Sequence, residues 1–327
     1  MRVQPEDFQV DEVLGFSPEG EGEHWLLQIR KRGINTDWLA RRLADAAGVP
    51  SREVSYAGMK DRHAVTSQWF SVRLPGLSTP DWRGLDIDGI EVLQAARHRR
   101  KLRRGVLKAN RFRIRLRDVR GDLTALDGCL HRVRQRGFPN YFGEQRFGRA
   151  YHNLVEAQRL FEKGVKGLKR HKRGLYLSAA RSMLFNEVLA RRIEAANWDQ
   201  PLAGDLVMLE GTHSRFPVET PDAALLERAG DLDLHPTGPL YGRGDLETGG
   251  APALLETAVA ERFATWIEGL CRFGLKQERR ALRSTARDLE WQLEDDTLLL
   301  SFTLAPGSYA TVLLRELASV VEPQRGP

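Results

Sequence analysis

One carboxylate, Asp61, stands among Lys60, Arg62, His63 and Thr66 in the run Gly58-Met59-Lys60-Asp61-Arg62-His63-Ala64-Val65-Thr66. No other stretch of the chain combines residue types so suited to chemistry. An ionised aspartate can serve as a nucleophile, and adjacent cations favour its charged form. In an extended backbone, however, successive side chains point to opposite sides, so Lys60 and Arg62 would turn away from Asp61. On local chemistry alone the run is also readable as an ordinary charged turn closing a hairpin. The chain contains no GxGxxG, P-loop, HExxH, CxxC or GxSxG signature. A reaction needing neither cofactor nor metal is therefore expected.

The flanking patterns place Asp61 on a connection between strands. Residues 51–56 end in alternating apolar positions, Gly58 breaks the pattern, and alternation resumes over residues 66–74. Functional side chains are often carried by such connections, aimed by a rigid sheet. Upstream, residues 24–31 read as a strand with Trp25, Leu27 and Ile29 on one face. Asn35-Thr36 then caps a helix that places Leu39, Leu43 and Ala47 on one side and ends at Gly48. Residues 123–136 read as a helix, and the turn formers from Gly137 to Gly143 suggest a domain boundary at 137. Beyond it the pattern predicts a helix over 178–193 and short strands over 205–210 and 215–218. Thr220 is read as the cap of a further helix, 234–250 as a loop rich in glycine and proline, and 253–273 as one helix. Strands over 289–293 and 297–304 follow, then a last helix after Pro306-Gly307-Ser308. Mixed elements without a βαβ rhythm indicate an α+β fold.

At 327 residues the chain is long enough for two domains. It contains no apolar run of about 18 residues and its start lacks a signal-peptide core, so a cytoplasmic protein without membrane association is expected. Cys129 and Cys271 are isolated and read as buried small hydrophobes. No segment announces an obligatory protein partner. The net charge is +6, yet residues 97–120 alone hold twelve Lys or Arg against one acid, Asp118. Within them Arg111, Arg113, Arg115 and Arg117 alternate with Phe112, Ile114 and Leu116, the period of a strand. Arg99, Arg100, Lys101, Arg103 and Arg104 precede them on a connection without periodicity. Such a strip suits phosphate oxygens and points to a nucleic acid, with a solvated sheet face as the plain alternative. Lys163, Lys166, Lys169, Arg170, Lys172 and Arg173 form a second basic cluster.

Five segments, in order, resemble the TruD family of tRNA pseudouridine synthases. They are Pro5-Glu6-Asp7-Phe8, the run from Gly58 through Thr66 to Gln68, Asn110-Arg111-Phe112, the run from Pro139-Asn140-Tyr141-Phe142-Gly143 to Gly148, and Pro306-Gly307-Ser308-Tyr309-Ala310-Thr311. The resemblance spans nearly the whole chain. It implies cofactor-free conversion of a tRNA uridine, position 13 of the D arm, to pseudouridine. Asp61 would be the nucleophile, Phe8, Asn110 and Tyr309 the substrate pocket, and Glu12 and Phe112 its neighbours. Tyr309 stands where the family commonly has phenylalanine, and Arg2 where a lysine near the nucleophile is usual. The implied architecture is a catalytic domain, 1–136 with 284–327, built on a curved mixed or antiparallel sheet with helices. A smaller α+β domain, 137–283, is inserted into it. An everted base needs an aromatic face and polar groups at its edge, which Phe8, Tyr309 and Asn110 can supply. Two other readings remain: a non-catalytic RNA-binding protein, and a carbohydrate hydrolase using Asp61 and Glu12 as a carboxylate pair.

Overall fold

The computed structural model describes residues 3–321 apart from 77–79, 104 and 165–166. Arg2, Arg104 and Lys166 lie outside the described residues. The fold is α+β, in two compact units: Met1–Leu123, Ala286–Gly307 and Ser319–Pro327 form the first, Thr124–Thr285 and Ser308–Ala318 the second.

The chain opens with β1 (Phe8–Leu14), β2 (His24–Arg32), α1 (Thr36–Ala47), β3 (Val54–Tyr56), β4 (Val65–Arg73), β5 (Ile90–His98) and β6 (Leu107–Leu116). Next come α2 (Leu123–Arg136), β7 (Phe138–Pro139), α3 (His152–Lys163), α4 (Arg170–Glu194), β8 (Leu206–Leu209), β9 (Arg215–Pro217) and α5 (Ala223–Gly230). They are followed by β10 (Leu234–Leu240), α6 (Gly250–Arg262), α7 (Ala264–Arg272), β11 (Glu278–Ala281) and β12 (Arg283–Ser284). β13 (Arg287–Glu294) and β14 (Thr297–Leu304) return to the first unit, and α8 (Ala310–Leu317) belongs to the second.

An eight-stranded mixed sheet organises the first unit, in the order β13-β14-β6-β1-β4-β2-β5 with β3 alongside β4. Only β1 and β4, among these pairs, run parallel. Register fixes the two faces. Val10 pairs with Thr66 and Phe112, Phe112 with Phe302, and Thr66 with Lys31. Those residues therefore share one face with Phe8, Glu12 and Asn110. Toward β2 this face is covered by α1, whose Leu39, Leu43 and Ala44 pack on Leu27, Ile29, Phe70 and Val72. Each fully buried leucine there contributes roughly 2 kcal/mol. Asn35 caps α1 by accepting from Asp37 N at 2.8 Å, and Gly48 closes it with φ 63°, a left-handed turn that suits glycine.

In the second unit α3, α4, α6 and α7 enclose an apolar cluster centred on Leu160, Leu184, Val188 and Leu270. A four-stranded sheet runs β11-β10-β8-β9. Four expectations are corrected here. Residues 234–240 form a buried strand rather than a loop, because β8 ladders its first half and β11 its second. With one neighbour along each half, Pro236 and Pro239 fit without their missing donors. Asp222, not Thr220, caps α5 by accepting from Leu225 N at 2.7 Å. The helix expected over 253–273 is two helices meeting at Phe263. Cys129 and Cys271 are free and only half-buried, and Cys129 Sγ lies 2.8 Å from Arg132 Nη2. The helices α2 and α8 group with the second unit, so the observed partition differs at its edges from a division at 137 and 283.

Candidate active site

Asp61 lies on the connection from β3 to β4, half-buried, and its Oδ1 accepts from His63 N at 2.9 Å. That short turn fixes the carboxylate relative to its own backbone. The connection is held at two further points by side chains of neighbouring elements. Gln68 of β4 donates to the carbonyl of Gly58 at 2.5 Å, and Lys60 N donates to Thr36 Oγ1 at 3.3 Å. Thr36 Oγ1 in turn donates to Gln68 Oε1 at 3.0 Å. The first turn of α1 and the start of β4 thus clamp the loop that carries the nucleophile candidate.

Lys60 turns inward, toward Glu12 and Asn110. Its Nζ lies 2.9 Å from Glu12 Oε1, an ion pair whose geometry falls short of a directed hydrogen bond. The same ammonium donates to Asn110 Oδ1 at 2.8 Å. Glu12 Oε2 accepts from Trp69 N at 2.8 Å, and the Glu12 side chain is wholly buried. Burial raises the Glu12 pKa, against the pull of Lys60. Glu12 and Asn110 are direct cross-strand partners on β1 and β6. One ammonium therefore joins two strands and, by occupying Asn110 Oδ1, leaves that residue's amide N–H groups to donate elsewhere. Glu12 is not open to a sugar, which removes the carboxylate pair a hydrolase would need.

Lys31 is a residue that sequence reasoning missed. It is fully buried, donates to the carbonyl of Ile34 at 2.8 Å, and lies in the electrostatic field of Asp61, Lys60 and Glu12. Burial lowers its pKa from 10.5 to about 8, with Asp61 the leading opposing influence. A signal was present in the sequence, since Lys31 continues the apolar phase of Trp25, Leu27 and Ile29. A buried cation costs stability, so replacing Lys31 with Met should stabilise the fold at pH 7 by about 1 kcal/mol after the lost hydrogen bond is counted. The sign of the pH dependence follows. Below pH 8 Lys31 is charged folded and unfolded, and the full cost stands. Between 8 and 10.5 the unfolded chain binds the extra proton, so rising pH stabilises the native protein. Urea unfolding of both proteins at pH 7 and pH 10 should show the Met variant's advantage at pH 7 lost or reversed at pH 10; a constant gap would contradict the assignment.

Phe8 and Phe112 are buried, their rings edge to face at 6.0 Å, and Phe112 stacks on Phe302 at 5.3 Å. Phe112 thus supports Phe8 from below. Tyr309, in the second unit, is half-buried at the N-terminus of α8, its ring 6.3 Å from Phe142. Gly143 permits this approach, since a Cβ there would meet the Tyr309 ring at 3.2 Å.

The strand part of the arginine strip lies on a solvated sheet face, the plainer of the two readings of its sequence. Arg111, Arg113 and Arg115 are exposed and Phe112, Ile114 and Leu116 buried. The alternation that exposes these arginines turns them to the face opposite Asn110 and Phe112. There Arg113 and Arg115 line a hollow of about 410 Å³ with Gln9, Gln292 and Leu299. Arg117 is held by the buried carboxylate of Asp7 at 2.7 Å, Arg113 by Asp11 at 3.1 Å, and Arg99 by Glu21. Lys101 donates to the carbonyl of Arg52 at 3.1 Å, while Arg100 and Arg103 are exposed. Among the described residues no group of three metal-ligating side chains occurs, and no helix is long and apolar enough to cross a membrane.

Comparison with known proteins agrees over the full chain. The family model for tRNA pseudouridine synthase D (TruD) matches residues 1–153 and 149–317. The tRNA pseudouridine synthase D of Methylococcus capsulatus is 49% identical, covering 100% of this chain and 92% of that protein. That of Nitrosococcus oceani is also 49% identical, over 98% of this chain and 91% of that protein. A crystal structure from Methanosarcina mazei, assigned as a TruD protein, superposes with a TM-score of 0.72 at 22% identity. It covers 97% of this chain and 92% of that one. The shared fold, the five ordered segments and this breadth of identity lead to one assignment: the chain belongs to the TruD family of tRNA pseudouridine synthases.

Proposed function

We propose that this chain isomerises uridine 13 in the D arm of tRNA to pseudouridine, with Asp61 as nucleophile, in the cytoplasm. The observation that carries the reading is the clamped Asp61 loop, whose Lys60 orients Asn110 through a 2.8 Å hydrogen bond. With its oxygen taken, Asn110 offers N–H donors, which match a ring carbonyl of uracil. Phe8, propped by Phe112, offers an apolar neighbour for the everted base, and Tyr309 an aromatic face in the second unit. The Asp61 carboxylate attacks the sugar or the ring. The bond from the glycosidic nitrogen breaks, uracil turns, and a ring carbon bonds to the sugar as the carboxylate leaves; that carbon then gives up its proton, and the former glycosidic nitrogen takes one up. Atoms balance, since the product is an isomer. Asp61, Phe8 and Asn110 belong to the first unit and Tyr309 to the second.

Backbone contacts fall to Arg100, Lys101 and Arg103 and to Lys163, Lys169, Arg170, Lys172 and Arg173. Arg170, Lys172 and Arg173 open α4, where the helix dipole disfavours cations. A bound polyanion would offset that cost. Arg113 and Arg115 face away from Asn110, so alanine at both should alter the slope of log affinity against log salt by less than about 0.5. A fall of about 0.9 per arginine would place RNA on that face.

The direct test maps pseudouridine after incubation of the purified protein with unmodified tRNA. Conversion at position 13, lost when that uridine is replaced by cytidine, is expected. Binding without conversion would leave an RNA-binding protein instead.

A further inference from the structure

Two arginines, Arg146 of the segment from Pro139 to Gly148 and Arg280 of β11, flank one aromatic ring. Phe142 is buried, with the Arg280 guanidinium carbon 4.1 Å from its ring centre and that of Arg146 at 5.2 Å. Tyr309 packs against the same ring. Two guanidiniums at one phenylalanine repel each other, and the second unit does nothing to neutralise Arg146. Its Nε is buried without a hydrogen-bond partner, and it forms no ion pair among the described residues. The nearest acid in sequence, Glu144, is exposed and faces Arg315 at 3.5 Å.

Arg280 is oriented rather than mobile. Its Nη2 donates to the Asn140 carbonyl at 3.2 Å and to Asn140 Oδ1 at 2.5 Å, and it stacks on Phe185 as well as Phe142. It is deeply set, yet part of its surface stays open to solvent. Burial lowers its pKa to about 10, and Arg146 pushes in the same direction. Arg146, with its Nε buried and unpartnered and a second guanidinium close by, is a cation that a bound anion would stabilise.

We propose that Arg146 and Arg280 form a phosphodiester-binding site beside Tyr309, which holds the backbone of the nucleotide stacked on that ring. The inference deepens the proposed function and rests on it for the identity of the RNA. Planar donor forks suit phosphate oxygens, and an aromatic face next to a phosphate clamp fits a nucleotide whose base has left the helix. The strength of the site lies in orientation. Fixing the phosphate fixes the sugar, and so the position of its glycosidic carbon.

The test is a binding cycle using tRNA in which one phosphodiester flanking the target uridine is a neutral methylphosphonate. Wild-type protein should bind the substituted tRNA about tenfold more weakly at one of the two flanking positions. Arg146→Gln should bind unmodified tRNA about tenfold more weakly, with a salt slope lower by about 0.9, and should be indifferent to the substitution. Arg146→Lys keeps the charge and should retain the slope with partly restored affinity. Because Arg146→Gln removes a repulsive neighbour of Arg280, its melting temperature should be unchanged or raised. An unchanged slope in a well-folded Arg146→Gln, or methylphosphonate and mutational losses that simply add, overturns the site. The cycle reads binding alone, so its outcome is independent of pseudouridine mapping; conversion by wild type with a failed cycle rejects this site and leaves the enzyme reading intact.

Discussion

Asp61→Asn is expected to reduce single-turnover pseudouridine formation by about 10⁴-fold or more, with tRNA affinity and melting temperature nearly unchanged. The substitution is close to isosteric. Asparagine Oδ1 can still accept from His63 N, and the Gln68 and Thr36 clamps on Gly58 and Lys60 do not involve the carboxylate. The loop should therefore keep its shape while losing the carboxylate on which the proposed covalent step depends. Residual turnover above about one per cent of wild type would remove Asp61 from the nucleophile's role. A large loss of affinity with little loss of rate on bound tRNA would instead make it a binding residue. A secondary effect is expected at Lys31, which loses an attractive neighbour and should become easier to deprotonate.

Short-range features of the fold were legible in the sequence because their causes are short-range. Asn35 and Gly48 bound α1 by hydrogen bonds and a left-handed turn that depend on a few adjacent residues. The alternation from Arg111 to Leu116 predicts both a strand and the burial of its apolar members. The acids that meet the arginine strip were not visible within the strip. Asp7, Asp11 and Glu21 come from the start of the chain and reach Arg117, Arg113 and Arg99 through strand pairing and loop packing. A local charge count therefore overstates the free positive field. The side on which the arginines lie was, by contrast, implied: if Asn110 and Phe112 face a substrate, Arg111 and Arg113 cannot. The buried strand at 234–240 was hidden because its prolines are tolerated only by the one-sided ladders that tertiary pairing provides.

Glu12→Gln should destabilise the first unit by about 3 kcal/mol, although it changes one oxygen to nitrogen. Glu12 is wholly buried between the Lys60 ammonium, its ion-pair partner, and the donor Trp69 N. Glutamine offers one acceptor, so its amide must face a donor whichever way it turns, and Lys60 is left as a buried charge without a counter-ion. If the cost lies in that unpaired ammonium, a second change should repair it: Glu12→Gln with Lys60→Met should be more stable than Glu12→Gln alone. Lys60→Met by itself leaves the carboxylate unpaired and raises its already elevated pKa further. The folded state then binds a proton more readily than the unfolded one, so lowering the pH from about 7 toward about 5 should restore part of the lost stability. Denaturant unfolding of the three variants across that range tests the scheme, and simple additivity of the two substitutions would refute it. The same set separates stability from function. Asn110 depends on Lys60 for its orientation, so the repaired double variant should fold well yet discriminate poorly between uridine and cytidine at the target position. That split would mean that the scaffold can do without the Glu12–Lys60 pair whereas a fixed direction of the Asn110 amide cannot, a physical reason for two charges where apolar side chains would hold the strands together as well.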